Sequence, residues 1–167
     1  GQIVAVATEI EQVKLAEKGR KNIEASHNRL LDILAMDKPV YGINTGFGLF
    51  ADQRIPVSDS SRLSRNLILS HAVGTGLPFL SEVVRAAMLV RANTLAKGYS
   101  GVRPVIVETL IAMLNVGVVP EIPSQGSLGS SGDLIPLSHM ALGPANSAFA
   151  RKLLKATIDA SEDLTVV

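Results

Sequence analysis

The residues with the clearest chemical potential form a run of small polar side chains, Ser130-Ser131-Gly132-Asp133, after a glycine-rich stretch. One interpretation is structural: the small residues form a turn, and Asp133 caps or charges the first turn of a helix. The spacing by itself favours this interpretation. In the chemical alternative, the Gly132 nitrogen folds back onto the Ser130 carbonyl, because glycine has no side chain to clash in a tight bend. The closure expels the Ser130 carbonyl oxygen as one water, and loss of a second water from Ser131 then leaves an electrophilic methylene conjugated to the new ring.

Other common catalytic devices are missing from the sequence. It has no cysteine, which excludes Cys-based metal and redox sites. The three histidines, His27, His71 and His139, share no metal-ligand spacing, so we expect no metal. We expect His27 to be solvated and His139 to be structural. No Gly-Lys-Ser/Thr follows either glycine stretch, which argues against a nucleotide, and Asp133 stands where a serine hydrolase elbow needs glycine.

The composition and charge exclude several classes of binding partner for this chain. The chain has 167 residues, of which 47% are apolar, and a formal net charge of +1. Because no basic excess exists to neutralise phosphates, a nucleic-acid or anionic-membrane binder is excluded. No apolar run approaches the roughly 20 residues of a membrane helix, and the start lacks a secretory signal pattern. We therefore expect a cytoplasmic globular protein.

The apolar residues recur mostly at helical spacing, which predicts a mainly α fold. Prolines, glycines and capping residues indicate where each helix begins or ends. The predicted helices are a short one between Thr8 and Gly19, one through Leu34, one from Ser58 or Asp59 to before Gly74, one from Val83 to Leu95, one from Pro104 to Asn115, one from Asp133 to Leu142 and an amphipathic one over 147–160.

Two glycine-rich segments, 41–57 and 117–132, interrupt the helical pattern. The second is longer than most connections in compact domains, and loops of that length are usually functional or disordered. Its last residues are the Ser-Ser-Gly run described above. We therefore expect both segments to be loops that serve a site.

Four segments carry a resemblance to a known family. They are VYGINTGFG at 40–48, RNLILSHAVGTG at 65–76, KGYSGVRP at 97–104 and QGSLGSSGDLIPLSHMAL at 125–142. In this order they resemble the aromatic amino acid ammonia-lyases, and the histidine-specific members most closely. The resemblance implies an N-terminal helical domain of the ammonia-lyase type with two glycine-rich active-site loops over 1–142. Residues 143–167 would be a divergent C-terminal helix or tail.

The resemblance also implies a prosthetic group, 4-methylidene-imidazol-5-one, which the family forms autocatalytically from an Ala-Ser-Gly triplet. The matching residues are Ser130, Ser131 and Gly132, with Ser131 supplying the methylene carbon. Ser130 replaces the usual alanine, so its hydroxyl would be a ring substituent that needs a hydrogen-bond partner if buried. We expect cyclisation to survive this change, with Asp133 in a supporting role.

The resemblance further implies which residues handle the substrate. Tyr41 matches the general base that removes a β-proton, for which the site must stabilise the phenolate. His71, preceded by Ser70, matches the residue that orients a substrate imidazole, where phenylalanine- and tyrosine-type relatives tend to carry leucine. Asn44 and Gly48 belong to a loop that can close over the substrate. The implied reaction is elimination of ammonia from L-histidine to give urocanate, a step of histidine catabolism.

Family subunits are several times longer than this chain, and their sites are assembled from several subunits of a tetramer. We therefore expect a homo-oligomer or a complementing lyase polypeptide, and no turnover by this chain alone. Two alternatives stay open within the resemblance. The chain could be a catalytically inactive lyase-like fragment that binds a partner, or it could belong to an aminomutase or to another aromatic amino acid ammonia-lyase.

Overall fold

The computed structural model describes residues 1–8, 11–36, 38–130 and 132–146. Within these ranges the chain is mainly helical, which confirms the predicted fold class. The elements are α1 (Gln2–Ala7), α2 (Glu17–Ala35), a 3-10 helix (Gly48–Phe50), α3 (Val57–His71), β1 (Thr75–Pro78), α4 (Ser81–Leu95), α5 (Pro104–Asn115), β2 (Pro123–Gln125) and α6 (Leu134–Asn146).

The hydrophobic core lies where α4 packs against α1 and α5. Helix α4 presents apolar side chains at helical spacing on one face, and α5 does the same opposite it. The best-buried core residues, each no more than 3% exposed, are Ile23, Val84, Met88, Ala92, Leu95, Val107, Met113, Leu114 and Ile122. Each large side chain in this set contributes roughly 1.5–3 kcal/mol by leaving water.

A buried arginine stabilises two helix ends beside this core. Arg85 is only 3% exposed, and its guanidinium donates to the carbonyls of Val6, at 2.8 Å, and Leu114, at 3.0 Å. These carbonyls lie in the last turns of α1 and α5, where intrahelical partners run out. A cation there also complements the helix dipoles. The sequence pattern of α4 did not predict this role for Arg85.

The first helix differs from its prediction. Thr8 was expected to begin a helix that Gly19 would end, but Thr8 follows the last residue of α1. Its hydroxyl donates back to the carbonyl of Val4 at 3.0 Å, so it satisfies the end of a helix and does not cap a start. Gly19 lies in the first turn of α2, which begins at Glu17. The predicted start of α3 is also different, because Pro56 stands at its N-cap and Asp59 lies within the first turn.

A two-stranded antiparallel ribbon, which the sequence did not predict, joins the segment after α3 to the second glycine-rich segment. Thr75 pairs with Gln125, and Pro78 pairs with Pro123. The strands have four and three residues and contain glycine and proline, so neither shows a strand pattern. The ribbon ties the end of α3 to the base of the 117–132 loop.

Helix α6 extends beyond its predicted end at Leu142, through Gly143 and Pro144 to Asn146. The predicted break at Gly143 is therefore wrong. A Cβ atom at Gly143 would overlap Pro120, so this glycine permits close packing of the helix against the preceding loop. The helix predicted over 147–160 lies outside the described residues, and the division of the chain at residue 142 stays a prediction.

Candidate active site

Asn44 holds the first glycine-rich loop in shape. Its side chain is 6% exposed; the amide oxygen accepts from the backbone nitrogen of Val40 at 2.7 Å, and the amide nitrogen donates to the carbonyl of Lys38 at 2.8 Å. Its backbone carbonyl accepts from the nitrogen of Ile55 at 2.9 Å, across the loop. Both polar groups of the side chain are therefore occupied by backbone, and Asn44 acts here on the loop.

Tyr41 stands at the outer side of the same loop. Its side chain is 64% exposed, and its ring meets Phe47 edge-on, with centroids 5.8 Å apart and planes at 71°. Gly48, the other predicted residue of this loop, begins the 3-10 helix with nothing within 4 Å of where a Cβ would lie. The phenol of Tyr41 and the backbone at Gly48 are thus both open to a bound molecule.

His71 is the last residue of α3, and its hydrogen bond fixes which ring nitrogen carries the proton. Nδ1 lies 2.8 Å from the carbonyl oxygen of Leu67, and the Ser70 hydroxyl donates to the same oxygen at 2.9 Å. Because a carbonyl oxygen only accepts, Nδ1 is the protonated nitrogen. In the neutral ring Nε2 is then an acceptor, and it has no hydrogen-bond partner among the described residues. The ring can accept a hydrogen bond from an N–H group.

The second loop is closed by a side-chain hydrogen bond. The hydroxyl of Ser127 donates to the carboxylate of Asp133 at 2.7 Å and accepts from the backbone nitrogen of Gly129 at 3.3 Å. The carbonyl of Asp133 accepts from Leu137 at 3.1 Å, which starts α6. The carboxylate of Asp133 thus also bonds across the loop, a contact that the sequence did not predict.

The backbone around the predicted tripeptide suits a tight bend. Gly132 has φ +88°, a conformation that side chains disfavour, and nothing lies within 4 Å of where its Cβ would be. Ser130 is exposed. Ser131 lies outside the described residues. Its two neighbours therefore fit the prosthetic group, since one has the required backbone freedom and both have open space for a ring.

The other two histidines bond to backbone atoms. His139 accepts at Nε2 from the backbone nitrogen of Gly74 at 3.1 Å, which agrees with its expected structural role. His27 was expected to be solvated, and this was wrong. It is half-buried, with Nδ1 3.0 Å from the carbonyl of Gly101, a residue 74 positions away that local sequence patterns cannot bring to it.

The structure brings some of the predicted residues together and leaves others apart. Packing of α3 on α6, with the β1–β2 ribbon, places the end of α3 that carries His71 beside the base of the second loop. Tyr41, by contrast, is not brought to the second loop. Its ring contacts Phe47 in its own loop, and among the described residues no hydrogen bond or ring contact joins Tyr41 to the second loop.

A cavity of about 600 Å³ opens elsewhere, between the start of α2 with the segment before it and helices α4 and α5. Its polar lining includes Lys14, Lys18 and Lys97, and none of the predicted site residues lines it. The described ranges contain no group of three or more His, Asp or Glu side chains placed to hold a metal ion. No helix in these ranges has both the length and the hydropathy to cross a bilayer.

Comparisons with known proteins show which family this chain resembles. The family model for aromatic amino acid lyases matches residues 1–162. The histidine ammonia-lyase of Geobacillus thermodenitrificans is 50% identical over 137 residues, which are 82% of this chain and 26% of that protein. The chain thus spans about a quarter of the length of this curated relative.

Two solved structures show the same fold. Histidine ammonia-lyase from Trypanosoma cruzi superposes with a TM-score of 0.80 at 33% identity, covering 93% of this chain and 32% of that one. Tyrosine aminomutase from Streptomyces globisporus gives a TM-score of 0.78 at 39% identity, covering 83% of this chain and 26% of that one.

Proposed function

The chain belongs to the aromatic amino acid lyase family, and from that premise we propose that it forms part of an enzyme that eliminates ammonia from L-histidine to give urocanate. The observation that carries the choice of substrate is the ring of His71. Its Nδ1–H is held by the Leu67 carbonyl, so Nε2 accepts a hydrogen bond from the N–H of a substrate imidazole. A phenyl ring offers no such donor, so phenylalanine would leave Nε2 without a partner.

The proposed prosthetic group is 4-methylidene-imidazol-5-one formed from Ser130, Ser131 and Gly132, with no metal or nucleotide. When present, the group supplies an electrophile that activates the amino acid for loss of ammonia. The support in this chain is the left-handed backbone at Gly132, the open space around it and the Ser127–Asp133 bond that closes the loop. Asp133 thus supports the site by holding the loop.

The proposed general base is Tyr41, which takes the β-proton of the substrate. Its exposed phenol and its edge contact with Phe47 leave the hydroxyl free to reach a bound amino acid. Asn44 acts one step further away, since its buried amide fixes the loop that presents Tyr41. Gly48, in the same loop, offers a backbone surface that a substrate can approach closely.

The proposed site is completed by other polypeptide, either further copies of the same protein or a complementing lyase chain. The described part exposes large apolar side chains next to the candidate loops, including Leu77, Leu80 and Leu128, at 72–93% exposure. Exposed apolar surface of this kind is typical of interfaces. We further propose that the protein is cytoplasmic.

An aminomutase is the second candidate, favoured by the similarity to the Streptomyces globisporus tyrosine aminomutase. Both candidates use the same tripeptide, so they differ in product. A catalytically inactive lyase-like protein that only binds a partner is the third candidate, favoured by the exposed apolar side chains of Leu77, Leu80 and Leu128. One experiment separates the three.

In this experiment, the chain replaces the matched segment of the Geobacillus thermodenitrificans relative in a chimaera, which is incubated with L-histidine, L-tyrosine or L-phenylalanine. The proposal expects urocanate from L-histidine and little product from the others. The matched control is the same chimaera with Ser131→Ala, which cannot form the methylene. A β-amino acid product would support the aminomutase. A folded chimaera without any product would support the inactive lyase-like protein.

A further inference from the structure

We propose that His139 is a positioning residue that holds the end of α3, with His71, against the loop that carries the cyclising tripeptide. This inference rests on the proposed function, because it assigns a task within that site. Its starting point is the bond from the backbone nitrogen of Gly74 to Nε2 of His139, at 3.1 Å. His139 makes this bond from the middle of α6, whose first turn directly follows the tripeptide.

Gly74 is the point where three parts of the site meet. A Cβ atom there would lie 3.0 Å from Nε2 of His139, 3.1 Å from Cβ of Pro123 and 3.2 Å from Cγ2 of Ile135. Pro123 belongs to β2, at the base of the second loop, and Ile135 belongs to the first turn of α6. No side chain larger than hydrogen fits at Gly74 without a shift of these neighbours.

Both ends of the 126–135 segment, which contains the tripeptide, lie close to the same glycine. At the near end, a Cβ atom on Gly126 would lie 3.5 Å from Cα of Gly74 and 3.2 Å from Cδ1 of Ile135. At the far end, Cγ2 of Ile135 lies 3.2 Å from where a Cβ atom of Gly74 would be. Because Gly126 and Ile135 flank the segment that contains the tripeptide, a displacement of Gly74 shifts both of its anchors.

Gly74 is also coupled to His71 by a short link. The backbone nitrogen of Val73 donates to the carbonyl of His71 at 2.9 Å, which forms a tight turn directly after α3. Fixing Gly74 therefore fixes the direction in which the chain leaves His71. Through Gly74, His139 thereby fixes the position of His71 relative to the loop that carries the tripeptide.

The bond requires an acceptor at the position of Nε2, and this supplies the test. Glutamine can place its amide oxygen where Nε2 stands, whereas asparagine is one bond too short, and leucine offers no acceptor. An N–H that loses its acceptor in a packed place is costly, so the turn at Gly74 should open. His139 contacts backbone and not a reacting group, so its substitution acts through geometry.

The experiment compares His139→Gln, His139→Asn and His139→Leu in the full chain. The first measurement is amide hydrogen exchange in peptides that cover Gly74 and 126–135. We expect the wild type and His139→Gln to be protected, and His139→Asn and His139→Leu to exchange at least several-fold faster at both places. The second measurement is the fraction of each protein that has lost two waters, by intact mass, with the same order expected.

The matched control is His27→Leu, which removes another single histidine bond to a backbone atom, at Gly101. It should lower thermal stability without changing exchange at 126–135 or the dehydrated fraction. Unchanged exchange at Gly74 and 126–135 in His139→Leu would overturn the inference. If the wild type itself retains both waters, the proposed prosthetic group fails, but hydrogen exchange still decides the role of His139.

Discussion

The hydroxyl of Ser127 donates to the carboxylate of Asp133 at 2.7 Å, across a loop that contains the whole Ser130–Gly132 tripeptide. This bond joins the residue before the bend to the residue that opens α6. The bond holds the two ends of this segment together, which restricts the conformations from which the Gly132 nitrogen must reach the Ser130 carbonyl. Pre-organisation of this kind lowers the entropic cost of an intramolecular reaction.

Ser127→Ala should therefore slow ring formation more than it lowers stability. Both partners are exposed, so the lost bond is worth at most about 1 kcal/mol of folding free energy. The dehydrated fraction by intact mass should fall, with a nearly unchanged melting temperature. The control is Ser100→Ala, at an exposed serine outside the loop. Equal dehydrated fractions in the two variants would show that Ser127 does not promote ring formation.

Gly132→Ala should block cyclisation because of backbone conformation and not because of space. The φ of +88° disfavours any side chain by about 1–2 kcal/mol, although nothing lies within 4 Å of the added Cβ. The matched control is Gly129→Ala, at φ +70° in equally open space but outside the tripeptide. Both variants should melt at similarly lowered temperatures. Only Gly132→Ala should retain both waters, and full dehydration of it would contradict the prediction.

Arg85→Met should destabilise the fold strongly, because it removes the charged donor from carbonyls at the ends of α1 and α5. A hydrogen bond from a charged group is worth about 1.5–3 kcal/mol. Urea unfolding followed by circular dichroism measures this change. The control is Arg91→Met on the exposed side of the same helix, expected within about 0.5 kcal/mol of the wild type. A similar midpoint for both variants would show that Arg85 is dispensable.

The His71 ring should be protonated at Nδ1 when neutral. Nitrogen-15 spectra that distinguish the two imidazole tautomers measure this directly. The comparison is with Ser70→Ala, which removes the neighbouring hydroxyl but keeps the Leu67 carbonyl. We expect the Nδ1–H form in both proteins. An Nε2–H form would mean that His71 offers a donor, and the proposed recognition of a substrate N–H would be wrong.

The sequence predicted the helices best where proline and glycine mark their ends. Pro104 and Asn115 are the observed ends of α5, and α4 ends at Leu95, three residues before Gly98. The prediction failed where a contact between residues distant in sequence determines the local structure. Gly143 resembles a helix stop, but it permits close packing on Pro120, and the ribbon at Thr75 forms only because Gln125 lies opposite.

The candidate site likewise has features that the sequence predicts and features that depend on distant contacts. The assignment of Ser130 and Gly132 to a prosthetic group comes from the resemblance of residues 125–142 to the family, because the spacing of these residues by itself favours an ordinary turn. The partners that hold the site are far apart in sequence, since 65 positions separate Gly74 from His139. The sequence placed Asn44 in the first loop. It could not predict the bonds of its side chain to Val40 and Lys38, because a glycine-rich pattern does not specify the backbone conformation of the loop.

Formation of the prosthetic group is tested by the mass of the purified chain, followed by peptide mapping of the segment around Ser131. We expect a loss of two waters confined to the peptide that contains Ser130–Gly132, together with a new near-ultraviolet absorbance. Both signals should be absent from Ser131→Ala. A wild-type chain with the full unmodified mass and no such absorbance would contradict the account, because no electrophile would then exist for the site to use.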